Sequence, residues 1–229
     1  MHVFLLFSGT NERAVLALLR AIGKLGQRAA VVARSAADPV LSSAYRELVV
    51  AVRESDALSV PLLSGYIEQA KARHRADRVT LVPISEFFNT FLLNHKEALE
   101  SIDGVRVPLV DSSLYAKLTN KASATEFFAR AGVASPPEYA GIDDAVVPFV
   151  AKPKCNVEGR RVLYPVLVKS DADLAAFKAA ENPSHYFFQH FVTGRSFYLL
   201  AYFARTGEVF CSFASPGIRH LQRRSQWQN

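Results

Sequence analysis

Lys152 closes an apolar run, Pro148-Phe149-Val150-Ala151, and Pro153 follows it. A proline cannot continue a central strand, so a lysine at this point leaves the sheet with its ammonium directed at whatever fills the adjoining cleft. A lysine that simply snorkels at a strand end fits the same pattern. The basic loop Lys154-Cys155-Asn156-Val157-Glu158-Gly159-Arg160-Arg161 comes next. It is placed to fold over phosphates, although its single glycine makes a poor backbone cradle. Further on, Gln189-His190-Phe191-Val192 closes a strand opened by Tyr186, Phe187 and Phe188, ahead of Thr193-Gly194. Backbone groups of His190 to Val192 offer a donor and an acceptor to a flat heterocycle, with Phe191 or Val192 as the wall of its slot. An ordinary core strand followed by a turn explains that stretch equally well. Upstream, Asn120-Lys121 opens a helix and adds another ammonium. Fixed cations beside an apolar slot suit a ligand that carries both phosphates and a base.

The order and spacing of these groups resemble the nucleotide-binding half of an ATP-grasp enzyme. That family has a helix-opening Asp-Lys, a strand ending in a Lys-Pro-like pair, a flexible loop, and a Glu/Gln-x-x-Val linker. Asn120-Lys121, Lys152-Pro153, the 154–161 loop and Gln189-x-x-Val192 stand here in that order. The carbamoyl-phosphate-synthase-like and biotin-carboxylase-like branches are the most similar. The resemblance implies that Lys121 and Lys152 contact ATP phosphates, that Arg161 joins the nucleotide-binding set, and that Gln189, Phe191 and Val192 hold adenine. It covers roughly the whole chain, most specifically residues 117–209. Asn120 replaces the family's Asp. Arg195, Ser196 and Phe197 stand near the position of the family's ribose-binding Glu, and Ser196 replaces one hydrogen bond without the charge. The family's metal ligands, Glu and Glu/Asn on two later strands, would follow the basic segment Arg219 to Arg224, and Glu208 is the last acidic residue. Phosphoryl transfer from ATP requires Mg²⁺, which prefers carboxylate oxygens. The expectation is therefore a fragment of a longer enzyme, a half completed by a second copy or a partner chain, or a protein that binds nucleotide without turnover.

These residues need elements to position them. His2–Phe7, Ala29–Ala33, Glu47–Val52 and Val79–Val82 read as buried strands. Between them, helical spacing joins Val15, Leu18, Leu19, Ile22 and Leu25, then Leu62, Leu63, Tyr66, Ile67 and Ala70 after Pro61. Phe87, Phe88, Phe91 and Leu92 line the helix after the fourth strand. Such alternation predicts a parallel sheet with helices on its faces. In such a sheet ligands sit at the carboxyl ends of strands near the switch point, which singles out Ser8-Gly9-Thr10-Asn11 and Pro83-Ile84-Ser85-Glu86. No Gly-x-Gly-x-x-Gly follows the first strand, which disfavours a dinucleotide site. A second unit begins near Asp111, with helices at Ser112–Leu118 and Asn120–Ala131, the latter carrying Ala124, Phe127, Phe128 and Ala131 on one face. Strands at Phe149–Lys152, Arg161–Val168, Tyr186–Gln189, Phe197–Arg205 and Glu208–Ala214 then surround one helix, Asp171–Ala180. Thr206-Gly207 reads as a hairpin turn.

The chain of 229 residues carries a net charge of +6, divided as +2 over residues 1–118 and +4 over 119–229. An excess at Lys152, Lys154, Arg160, Arg161 and Lys169 favours an anionic ligand in the second half. No run of five basic residues supports nucleic-acid binding, and no apolar run is long enough to span a membrane. Two cysteines and no basic n-region at the start argue for a cytoplasmic protein without a disulfide framework. Cys155 sits among cations that lower a thiol pKa, although a chance loop cysteine explains it more simply. The histidines show no metal-ligand spacing. The fold class expected is thus α/β: a Rossmann-like, pre-ATP-grasp parallel sheet over residues 1–110, then an incomplete α+β ATP-grasp region over 111–229. The function expected is an ATP-dependent carboxylate–amine or thiol ligase working through an acyl phosphate, with ATP, Mg²⁺ and a small carboxylate as ligands. The alternative is a non-catalytic nucleotide-binding protein or subunit.

Overall fold

The computed structural model describes the chain except residues 10, 156, 159–160, 195–197, 204–205, 208 and 216–229, and it gives the backbone alone at 122, 157–158, 198–203 and 209–215. Two compact units divide the chain, Met1–Thr119 and Asn120–Asn229.

In the first unit β1 (His2–Phe7), α1 (Glu12–Lys24), β2 (Arg28–Ala33), β3 (Val49–Val52), α2 (Val60–His74) and β4 (Arg78–Val82) alternate. They are followed by α3 (Glu86–Asn94), α4 (Lys96–Glu100), β5 (Val105–Arg106) and α5 (Ser112–Thr119). The sheet is parallel throughout, in the order β3-β2-β1-β4-β5. Side chains alternate across a strand, and both faces of β1 and β2 are apolar. Val3, Leu5, Phe7, Ala30 and Val32 pack with Leu63, Ile67, Phe88 and Leu92. Leu6, Ala29, Val31 and Ala33 pack with Val15, Leu19 and Ile22 of α1 on the other side. The helix starts are fixed locally. Asn11, Ser59 and Ser85 each accept a backbone N–H of the following first turn, from Ala14, Leu62 and Phe88. Pro61 sits in the first turn of α2, where its missing N–H costs nothing.

Several expectations need correction here. Glu47 and Leu48 lie in a 3₁₀ turn, Arg46–Leu48, so β3 starts at Val49. Leu25 is 74% exposed, because it follows the last helical residue of α1 and no longer shares its apolar stripe. Phe87 is 65% exposed; the i,i+4 pair Phe88 and Leu92 takes the buried face of α3. In the second unit Phe127 and Phe128 are each 40% exposed, and Ala124 is the buried residue of their helix.

That unit contains α6 (Lys121–Arg130), β6 (Glu138–Tyr139), β7 (Phe149–Pro153), β8 (Val157–Glu158), β9 (Arg161–Val162) and β10 (Val166–Val168). Then come α7 (Asp171–Ala180), β11 (Tyr186–His190), β12 (Tyr198–Phe203) and β13 (Val209–Ser215). An antiparallel sheet runs β10-β7-β11-β6; β8 pairs with β9 and β12 with β13, both antiparallel. The strand expected over 161–168 is thus two separate strands. Phe149, Ala151, Val168, Tyr186 and Phe188 form one apolar face, closed by Phe177 of α7. No helix among the described residues is long and apolar enough to cross a membrane.

Candidate functional site

In the second unit, alternation decides which side chains share a face. Phe149, Ala151 and Pro153 of β7 are buried, as are Tyr186 and Phe188 of β11. Val150, Lys152, Phe187 and Gln189 therefore occupy the face turned away from α7. Lys152 pairs with Phe187 across the strands, and Gln189 pairs with Val150 and with Glu138 of β6. On that face Lys152 Nζ donates to Gln189 Oε1 at 2.7 Å, and Gln189 Nε2 donates to Glu138 Oε1 at 3.1 Å. Gln189 is only 3% exposed, and its amide is oriented by these two charged neighbours. Burial pushes the Lys152 ammonium below the ordinary lysine range, while the charge of Glu138 acts to hold it up.

This geometry corrects the expectation that Lys152 leaves the sheet. The strand runs through Pro153, and Lys154 N–H still donates to His185 O at 2.8 Å. Backbone N–H groups alternate sides along a strand, so the missing donor of Pro153 faces β10. Pairing on that side stops at Ala151, and no ladder bond is lost. A second correction concerns His190. Its N–H donates to Pro137 O at 3.0 Å, so this one donor of the 190–192 backbone is used within the sheet. Phe191 and Val192, just past β11, are 39% and 64% exposed. Lys121 is the first residue of α6, and Asn120 caps that helix through Ser123 N–H at 3.1 Å. The residue in the family's Asp position thus acts as a helix cap. Arg161 makes an ion pair with Glu181 at 2.5 Å. Ser196, Arg160 and the basic tail Arg219, Arg223 and Arg224 lie outside the described residues, as do Arg195, Phe197 and Glu208. Cys155 is exposed.

Sequence reasoning missed Glu138, the acidic end of the Lys152–Gln189 chain. It also missed the stack of Tyr139 on His190, with ring centroids 4.3 Å apart and planes 11° from parallel. Both come from a strand of two residues, too short to show periodicity.

In the first unit the switch point falls between β1 and β4. A cavity of about 310 Å³ opens there, lined by Phe7, Ser8, Gly9, Asn11, Ile84 and Ser85 together with Arg34, Arg53, Asp56, Leu58, Phe87 and Phe88. It brings together the loops expected after the first and fourth strands, whereas Glu86 is exposed at the start of α3 and lies off the lining. Asp38 is buried beside Ser8 and accepts from its hydroxyl and from the backbone N–H groups of Arg34 and Val40. This clamp fixes the ends of β1 and β2. Arg34 holds Asp56 with two bonds of 3.0 Å, and Arg53 reaches the same carboxylate at 3.0 Å. The hydrogen bonds and charge of Arg34 keep the Asp56 carboxyl below its usual range. The sequence signal that could have found the two arginines was their position directly after β2 and β3.

No protein-family model matches the sequence, and no curated protein does. Among solved structures, the biotin carboxylase of Campylobacter jejuni in its β,γ-ATP complex superposes with a TM-score of 0.58 at 18% identity. The match covers 90% of this chain and 49% of that one. The chain has a biotin-carboxylase-like fold. The likeness is one of fold. The biotin carboxylase domain of a single-chain bacterial carboxylase is similar at a TM-score of 0.46 and 18% identity, over 86% of this chain and 43% of that one. The chain spans about half the length of the biotin carboxylase structures it matches. The five-stranded parallel sheet and the antiparallel sheet are the two kinds of pairing expected from the sequence.

Proposed function

We propose that the chain binds ATP on the Lys152 face of the antiparallel sheet and forms part of an ATP-grasp ligase that activates a small carboxylate. The observation that carries this reading is the chain of hydrogen bonds from Lys152 through Gln189 to Glu138. It holds a half-buried cation in a fixed place, and the strand that carries Gln189 leads into the exposed apolar pair Phe191 and Val192. A fixed, partly desolvated ammonium attracts phosphate more strongly than a surface lysine does. Lys121 and Arg161 would add positive charge, with Arg161 exchanging Glu181 for phosphate. The ligase step would pass the ATP γ-phosphate to the carboxylate, and an amine or thiol would then attack the acyl phosphate. Magnesium would neutralise charge between the phosphates, but no group of three or more His, Cys, Asp or Glu among the described residues is placed to hold a metal ion. No metal ligand is therefore assigned. The second reading is a nucleotide-binding chain that depends on a partner or a second copy for turnover.

The test is a thermal melt with ATP, with and without Mg²⁺, beside Lys152→Ala. ATP at ~100 times its dissociation constant stabilises by ~2.7 kcal/mol. The expected result is an upward shift of several degrees that disappears in the folded Lys152→Ala protein. An equal shift in both proteins, or none in the wild type, overturns the ATP reading. A shift with no ADP formed on incubation favours the binding-only reading.

A further inference from the structure

We infer that the cavity of the first unit is a binding site for a small monocarboxylate with an aromatic or branched apolar body. The cavity collects the carboxyl ends of four neighbouring strands: Phe7 from β1, Arg34 after β2, Arg53 after β3, and Ile84 and Ser85 after β4. One end is cationic. The Arg53 side chain is 9% exposed and Arg34 is 42% exposed, and both are turned on one carboxylate, Asp56. A guanidinium carries five N–H donors. Among the described residues, hydrogen bonds use two on Arg34, both to Asp56, and two on Arg53, to Asp56 and to Ser55 O. The donors left on the two guanidiniums are what a single carboxylate needs, and within the lining of this cavity Asp56 is the one carboxylate that faces them.

The other end is apolar. Phe7, Leu58, Ile84, Phe87 and Phe88 line it. Phe87 is 65% exposed, stands outside the three cores and lines this cavity. A volume of about 310 Å³ lies at the small end of the ~300–1,000 Å³ range for ligand sites. Polyanions are disfavoured. The adjoining recess of about 440 Å³ shares Arg34, Arg53 and Asp56 and adds Glu12, Asp38 and Glu54. Phosphate groups there would meet these carboxylates.

Binding is a property of the first unit alone. Its use as the acceptor in carboxylate activation rests on the ligase reading above. The probe is 3-phenylpropionate, titrated into the full chain by calorimetry without ATP or metal, beside 3-phenylpropionamide, acetate and inorganic phosphate. The acid should bind about tenfold more tightly than its amide, the range expected for a hydrogen bond to a charged group. Arg34→Gln should weaken the acid about tenfold and leave the amide unchanged. Phe87→Ser should weaken the acid and leave acetate unchanged. Both residues are exposed, so neither variant threatens folding, and a melt confirms it. Equal binding of acid and amide overturns the inference, as does tighter binding of phosphate. So does an absence of heat at ~10 mM, ten times a millimolar dissociation constant. Phenylpropionate binding in a chain that ignores ATP would keep the site and remove only its acceptor role.

Discussion

Lys152 and Gln189 stand 37 positions apart and meet through one hydrogen bond. Their residue types and strand-end positions were readable in the sequence. Their shared face was not, because it depends on a register that pairs Lys152 with Phe187. Glu138 was invisible for the same reason. The histidines give a prediction at this scale. Among the described residues His74 Nε2 is buried without a hydrogen-bond partner, and burial lowers the imidazole pKa, with Arg28 and Arg73 acting in the same direction. His2 is lowered too, first by burial and then by Arg78. An imidazole with a depressed folded pKa binds its proton more readily in the unfolded chain. Its contribution is intact above the unfolded value of about 6.5 and is lost as pH falls through the folded value. The melting temperature should therefore drop between pH 7.5 and pH 5. His74→Gln should flatten that drop, and an unchanged profile would refute the assignment.

At the scale of elements, the sequence marked most strands and helices because the apolar spacing in each was regular. It failed where an element was too short for a period, as in β5 and β6, or where a breaking residue was passed over, as at Pro165 between β9 and β10. Gly104 is the sharpest case. It has φ +73°, and a Cβ there would lie 1.9 Å from the carbonyl oxygen of Asp77. Its own carbonyl accepts from Val79 N–H at 2.9 Å, which docks β5 on β4. A left-handed conformation alone costs a non-glycine residue ~1–2 kcal/mol. The backbone clash adds to that, so Gly104→Ala should destabilise the first unit by more than ~2 kcal/mol in urea unfolding. A loss below half that amount would mean the turn relaxes freely.

At the scale of the whole molecule, both hydrophobic clusters of the first unit use residues within 1–119, and the third cluster lies in the second unit. A fragment of residues 1–119 should accordingly unfold cooperatively by circular dichroism. Within it, Leu81→Ala should cost ~2–5 kcal/mol, the range for a fully buried leucine. A broad, non-cooperative melt would show that the unit does not stand alone. The sequence by itself determined the alternation of strand and helix, the change to antiparallel pairing after the first sheet, and the excess of cations in the second half. Those follow from local periodicity, turn residues and charge, all of which are properties of short windows. Only the tertiary structure decided the strand order that puts Arg34, Arg53 and Ile84 around one cavity, and the register that joins Lys152, Gln189 and Glu138. Strand order and register are set by which apolar faces bury each other, and that is a relation between distant segments that no local window contains.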